Sequence, residues 1–380
     1  MTQSVRHLLV GLMIAVTSAA ALHAAWLPQH VSVAPAGPPK KVKGTAGEPW
    51  PDAATIEAHR VAAEKRQLFS TDEPLPFTLT ADFKAIDNDK NPNSTKVYQG
   101  TIEFAGPDGQ PKTVPIEIRP RGQSRRVICS FVPLRLTFPK EQVKGTVFDG
   151  ITSIKLGVHC KNEFEELVPR EYAAYRINNL LTPRSFRVRL AHGSYVDAKT
   201  QKPMDTRLAM FIEEDEDVAR RMGGRLTSQQ GLKFTGVDLD TVTELTLFEY
   251  MISNHDISLF AQHNIRVVEV PSGVKYPVPY DLDESGLVDA SYAVPPPQLH
   301  LDTVKDRLYR GPCRPAAELA PILDQFRSVE PTVMALFDTL PLMKNSYRAE
   351  AKKFLESFYH TLDQPGAVKK TFTDCKNAAF

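Results

Sequence analysis

The sequence predicts an α+β chain, with strands gathered in its first half and helices in its second. Three observations predict it. Apolar and polar residues alternate in Val97–Phe104 and Val114–Ile118, the period of two expected of half-buried strands. A helical spacing replaces it later, where Val242, Leu245, Phe248 and Ile252 fall on one face. Between Asn254 and Gly286, NHDISLFAQHNIRVVEVPSGVKYPVPYDLDESG, two apolar segments flank a Pro-Ser-Gly turn and end on a pair of aspartates.

Taken in order, residues 1–25 read as a secretory signal peptide. Arg6 and His7 precede an apolar run, Leu8–Ala21, too short for a comfortable membrane span, and small residues follow where cleavage would occur. An uncleaved N-terminal anchor is the rival reading. Either places the rest of the chain outside the cytosol, in the periplasm, the medium or at the cell surface, with no membrane span in the mature chain. Residues 26–70 read as a linker. Its first half, rich in Pro, Gly, Ala and Lys, is expected to be disordered, and Ala53–Arg66 has the pattern of a short helix. Residues 71–236 form a β-rich part with strands at Phe77–Phe83, Val97–Phe104, Thr113–Ile118, Leu134–Phe138 and Ile151–Val158, a PDG turn joining the second and third. A helix is expected over Glu171–Leu181, introduced by Pro169. Arg187–Leu190 and Leu208–Ile212 resemble a strand pair, with the acidic run Glu213–Asp217 at its end. Residues 237–380 form the mainly helical part. Asp240 is the expected N-cap of a helix running to Ser253, Ile265–Val270 and Val274–Val278 make the hairpin, and Ala316–Leu362 is helical.

Composition narrows the function. The chain has 380 residues and a formal net charge of +1, so no broad basic patch for nucleic acid or anionic membrane is implied. Its four cysteines form no CxxC and have no zinc-spaced histidines, which speaks against a metal role. In an oxidising compartment two disulfides are expected, and of the three possible pairings Cys129–Cys160 with Cys313–Cys375 is favoured, since each pair lies within its own part of the chain. Four buried thiols are the alternative.

The chemistry concentrates in two places. Arg119–Arg126, RPRGQSRR, carries four arginines around Gly122, suited either to gripping phosphate or to a solvated basic turn. Lys155, on a strand, and Arg135 face the same choice. The hairpin should return Asp281 and Asp283 toward Asp256 and Asn264, gathering three carboxylates and an amide, the all-oxygen set preferred by hard divalent cations. Neighbouring His255 and His263 read as structural. One of Glu213 and Glu214 is a further candidate for the site. A glycosidase built on Asp281 and Asp283 is disfavoured, because residues one apart on a strand face opposite ways.

The segments RPRGQSRR, IKLGV, REYAAYRI, LAMFIEEDEDVARRMGG, NHDISLFAQHN and YPVPYDLDESG follow one another over Arg119–Gly286. This series resembles the CotH-type secreted atypical kinases. The resemblance implies a protein-kinase-like two-lobed fold, with a β-rich N-terminal lobe and a mainly helical C-terminal lobe. It also implies a phosphotransferase using ATP with Mg2+ or Mn2+, acting on a protein or another hydroxyl-bearing acceptor. By the same resemblance Asp256 is the catalytic aspartate and Asn264, Asp281 and Asp283 are metal ligands. Arg121, Arg125 and Lys155 hold the nucleotide phosphates. The chain departs from the pattern at Gln123, where asparagine is usual, and after RPRGQSRR, where VICSFVPLR stands in place of lysines. Those departures keep a second class open, a non-catalytic exported binding or coat-like protein.

Overall fold

The alternating segments form strands in the computed structural model, which describes residues 48–161 and 166–375. They are β1 (Leu75–Ala81), β2 (Tyr98–Ala105), β3 (Pro111–Pro120), β4 (Leu134–Thr137), β5 (Ser153–Val158), β6 (Val188–Asp197) and β7 (Pro203–Ile212). β2 and β3 make the hairpin expected around the PDG turn, and β4 and β5 are neighbours, with Arg135 opposite Lys155. The sheet does not stay open. β1 pairs in parallel with β6, Leu75 opposite Ala191 through Ala81 opposite Asp197, and the seven strands close in the order β1-β2-β3-β4-β5-β7-β6. Three short strands, β8 (Arg225–Thr227), β9 (Ile265–Glu269) and β10 (Lys275–Pro279), form a separate sheet, and β9–β10 is the predicted hairpin.

The α-helices of five or more residues are α1 (Ala53–Glu64), α2 (Phe83–Asn88), α3 (Ser124–Ile128), α4 (Leu167–Leu181), α5 (Asp215–Arg221), α6 (Leu239–Ile252), α7 (Ala316–Thr339) and α8 (Asn345–Leu362). α1 lies inside the stretch read as a linker and packs against α5, with Arg66 just beyond it bonded to Asp217 at 2.9 Å. The N-cap of α6 is Asp238, whose carboxylate accepts from the Thr241 amide at 2.9 Å. Asp240, the residue expected there, sits inside the first turn, where its charge suits the helix N-terminus. The basic segment is not a solvated turn throughout. Gly122, at φ 89°, turns the chain into α3, which buries Arg125 and Arg126.

The two-lobed protein-kinase-like fold expected from the resemblance is not what the chain forms. The chain folds as a closed seven-stranded barrel with a few helices. Two strands show why the parts do not separate. Ala209 and Phe211 of β7 join a core drawn from all seven strands, while Leu208, Met210 and Ile212 of the same strand join a second core with α4, α6, α7 and α8. β6 divides in the same way, Ala191 and Tyr195 against Val188 and Leu190. Side chains alternate across a strand, so a strand between two apolar layers feeds both. All described residues belong to one compact unit. Both disulfides pair as expected, Cys129–Cys160 and Cys313–Cys375. Among the described residues no helix is long and apolar enough to cross a membrane. The signal-peptide reading lies outside the described residues.

Candidate functional site

The loop after α6 holds Asp256. Ser253 ends the helix in the left-handed region at φ 54°, and the Asn254 amide bonds back to the Glu249 carbonyl at 2.9 Å. The Asn254 side-chain oxygen then accepts from the Asp256 backbone N–H at 3.2 Å. Ser258 and His263 exchange two backbone hydrogen bonds, closing the loop so that the residues flanking it meet. Asp256 Oδ1 lies 2.9 Å from His263 Nε2, and its Oδ2 accepts from Asn264 Nδ2 at 2.8 Å. The eight-residue spacing of Asp256 and Asn264 is therefore a direct contact. The bond to Asp256 raises the His263 imidazole above its ordinary pKa, against the effect of burial. His263, read from sequence as a structural histidine, is thus a partner of Asp256.

A second cluster is built on Arg125. Its guanidinium contacts Asp281 at 2.5 Å, Asp283 at 3.3 Å and Glu171 at 3.3 Å. The ligand oxygens of the three acids lie within 4.8 Å of one another. Asp281 has φ 60°, and its amide donates to the Tyr175 hydroxyl at 2.8 Å. That turn breaks the strand alternation, which is why Asp281 and Asp283 meet the same guanidinium instead of facing opposite ways. Burial opposes ionisation of Asp281, but Arg125 and then Arg121 outweigh it and hold its carboxyl below the usual range. Burial wins at Glu171, raising it to about 7, and at Asp283, which is raised despite Arg125. Tyr292 donates to Asp283 at 2.7 Å. Asp281 is the most open of the three, with 30% of its side chain exposed.

Lys155 belongs to a third, adjoining group. Buried on β5, it pairs with Asp215 at the start of α5 and donates to the Glu213 carbonyl at 3.1 Å. Its ammonium lies 4.6 Å from the Phe186 ring centroid and 5.8 Å from that of Tyr280. Arg266, from β9, donates to the other Asp215 oxygen at 2.6 Å and lies over Tyr280 at 4.0 Å. Burial disfavours the Asp215 charge, yet the two cations hold its carboxyl far below the usual range. Burial pulls Lys155 below its ordinary value against the pull of Asp215. Arg121 bridges the groups electrostatically: its charge is felt by Lys155, Glu171 and Asp281, and its Nη1 makes no hydrogen bond.

Among the residues singled out from sequence, Arg125, Asp281 and Asp283 are in direct contact, as are Asp256 and Asn264. The two groups lie within charge range: Asp256 acts on Asp283 and Glu284, and Asp281 acts on His263. Lys155 reaches the acidic cluster through the ring of Tyr280, the residue before Asp281. Neither Glu213 nor Glu214 meets Lys155 through its side chain. Glu213 pairs with Arg221 at 2.8 Å, Glu214 with Arg135 at 3.2 Å, and the partner is Asp215. Glu171, Asp215, Arg266, Tyr292 and Glu284, the last raised to about 8 by burial and by Asp256, were not read as site residues. Glu171 had a legible signal, since it stands four residues before Tyr175 and so shares its helix face.

Three carboxylates with oxygens within 4.8 Å of one another form a hard, all-oxygen donor set, and Glu171 Oε1 is buried without a hydrogen bond, so the cluster fits a divalent cation. Asn264 turns its amide nitrogen toward Asp256.

No family model matches the chain. No curated protein matches it. Among solved structures it is similar to the Helicobacter pylori proinflammatory kinase CtkA, at 11% identity and a TM-score of 0.36. The match covers 63% of this chain and 92% of that one.

Proposed function

We propose that the chain is an exported phosphotransferase that uses ATP with Mg2+ or Mn2+, as its resemblance to the CotH-type kinases implies. One observation carries the reading. Asp256 is held by His263 and Asn264 within charge range of a buried cluster of three acids, which is the pairing of a base with a metal-phosphate site that phosphoryl transfer needs. In this reading Glu171, Asp281 and Asp283 hold the cation. When bound, that cation neutralises charge on the nucleotide phosphates. Asp256 accepts the proton of an acceptor hydroxyl, whose oxygen bonds to the γ-phosphorus as the bond to the departing diphosphate breaks. His263 and Asn264 keep the Asp256 carboxylate aimed. Arg121 and Arg125 grip phosphate, and Lys155 steadies Tyr280 and the turn at Asp281. The acceptor is a protein or a small hydroxyl-bearing molecule. The two disulfides support export.

The test compares the unmutated protein with Asp256→Ala, Asp281→Ala and Asp283→Ala, measuring nucleotide binding and phosphate transfer on the same preparations. Asp256→Ala is expected to lower turnover by about 100-fold or more with nucleotide affinity largely kept, since a base contributes in the transition state. The other two should weaken both. Full activity in Asp256→Ala overturns its role.

A second reading has its own observation. Arg125 already contacts all three acids, supplying the positive charge that a metal would bring. A non-catalytic exported binding protein would keep that arrangement, and it predicts no transfer from the unmutated protein with any divalent metal.

A further inference from the structure

Behind Asp256 lies a buried acid that none of the roles above uses. Glu249 is in the last turn of α6 and only 3% exposed, and neither of its carboxyl oxygens makes a hydrogen bond. Asn254, 2% exposed, also has an unsatisfied Nδ2. Leaving such buried groups unpaired is costly, so neighbouring donor and acceptor atoms in this state are expected to serve one another. They are neighbours: the Asn254 amide acts on the Glu249 carboxyl, favouring its charged form, although burial outweighs this and raises the group to about 8.

Two clamps on the Asp256 turn lead back to this carboxyl. Asn254 Oδ1 accepts from the Asp256 N–H at 3.2 Å. An amide whose oxygen is committed there must point its Nδ2 elsewhere, and the flipped amide would set two donors against each other. An acceptor on the Nδ2 side therefore selects the orientation that holds Asp256. The second clamp is Arg310, which donates to the carbonyls of His255 at 2.9 Å and Ile257 at 3.2 Å, on either side of Asp256. Its charge also acts on Glu249.

We propose that Glu249 is a positioning residue for Asp256. Its buried carboxyl accepts from Asn254 Nδ2, orients that amide toward the Asp256 backbone, and anchors Arg310 across the same turn. The catalytic consequence rests on the phosphotransferase reading, whereas the positioning does not.

The experiment follows the Asp256 backbone amide by hydrogen exchange in the full chain, so that it reports whether or not transfer occurs. Variants Glu249→Leu, Asn254→Ala and the double variant complete a cycle, and Glu249→Gln keeps the volume and one acceptor oxygen. Loss of the single hydrogen bond at Asp256 is expected to speed its exchange about tenfold in each single variant. The double variant should be no faster than Asn254→Ala, because both changes break one path. Glu249→Gln should lie closer to the unmutated protein. Unchanged exchange in Glu249→Leu overturns the proposal, and so do effects that multiply in the double variant. Should Glu249→Leu fail to fold, the Nδ2 protons of Asn254 in the unmutated protein decide: slow exchange supports the pairing and rapid exchange refutes it. Where transfer is measured, Glu249→Leu lowers kcat while nucleotide KM holds. An inactive protein with the exchange pattern above would refute the phosphotransferase reading and leave the positioning standing.

Discussion

Asp215 shows how much a single carboxylate can hold at the residue scale. It is the shared counter-ion of Lys155 and Arg266, with side-chain exposures of 12%, 3% and 22%. Replacing it by asparagine leaves two cations facing each other over Tyr280 with no anion between them. Breaking a buried pair in this way costs about 3–5 kcal/mol, so Asp215→Asn should unfold at markedly lower denaturant, and a midpoint within error of the unmutated protein would contradict the assignment. Asp87 is the opposite case. Burial raises its carboxyl to about 6, although it accepts from the Val132 amide at 3.2 Å. The fold therefore prefers the protonated acid. That contribution is fully present below the unfolded value of 3.8 and is lost as pH rises through about 6. An asparagine side chain in its place would keep an oxygen for the Val132 amide without the charge. Asp87→Asn should raise the melting temperature at pH 7.5 and leave it nearly unchanged at pH 3.5, so a gain that is equal at both values would refute the ionisation argument.

Short elements place the site. α3 has five residues, too few to persist by itself. It is fixed by the Cys129–Cys160 disulfide at its end, by Arg126 on Asp89 at 2.7 Å, and by Lys90 on the Cys129 carbonyl at 2.6 Å. Those three ties keep Arg125 against Glu171, Asp281 and Asp283. The disulfide closes a loop of 31 residues, which should contribute roughly 4 kcal/mol through the unfolded state. Replacing both cysteines by serine is expected to cost that stability and to loosen Arg125, read as faster amide exchange over residues 124–128. Exchange that is faster elsewhere and unchanged in α3 would show that the other two ties suffice. The turn at Asp281 works in the same way. Its left-handed backbone is stabilised by the Tyr175 hydroxyl, so a residue on α4 decides where a loop after β10 points its acids.

On the scale of the whole molecule, β6 and β7 serve two cores at once, and this makes the barrel and the helices one cooperative structure. Calorimetry at neutral pH should therefore give a single unfolding transition, with equal calorimetric and van't Hoff enthalpies. Two resolved transitions would contradict this. By itself the sequence determined the local elements: the β2–β3 and β9–β10 hairpins, the strands at Leu134–Thr137 and Ser153–Val158, α4 and α6. Each depends on side-chain period, turn residues or loop length, all of which are local. It also singled out Asp256, Asn264, Asp281, Asp283 and Arg125, through the order and spacing of segments that resemble the CotH-type kinases, since taken singly an aspartate pair or a basic turn is common on a surface. Tertiary structure alone decided the barrel, since the parallel pairing of β1 with β6 joins strands more than a hundred residues apart, and nothing in either segment encodes its partner. It decided likewise that Asp215, not Glu213 or Glu214, meets Lys155, and that Glu171 joins the aspartates. Which acid of a run faces a buried cation depends on the phase of the helix against the sheet, and that phase is set by packing.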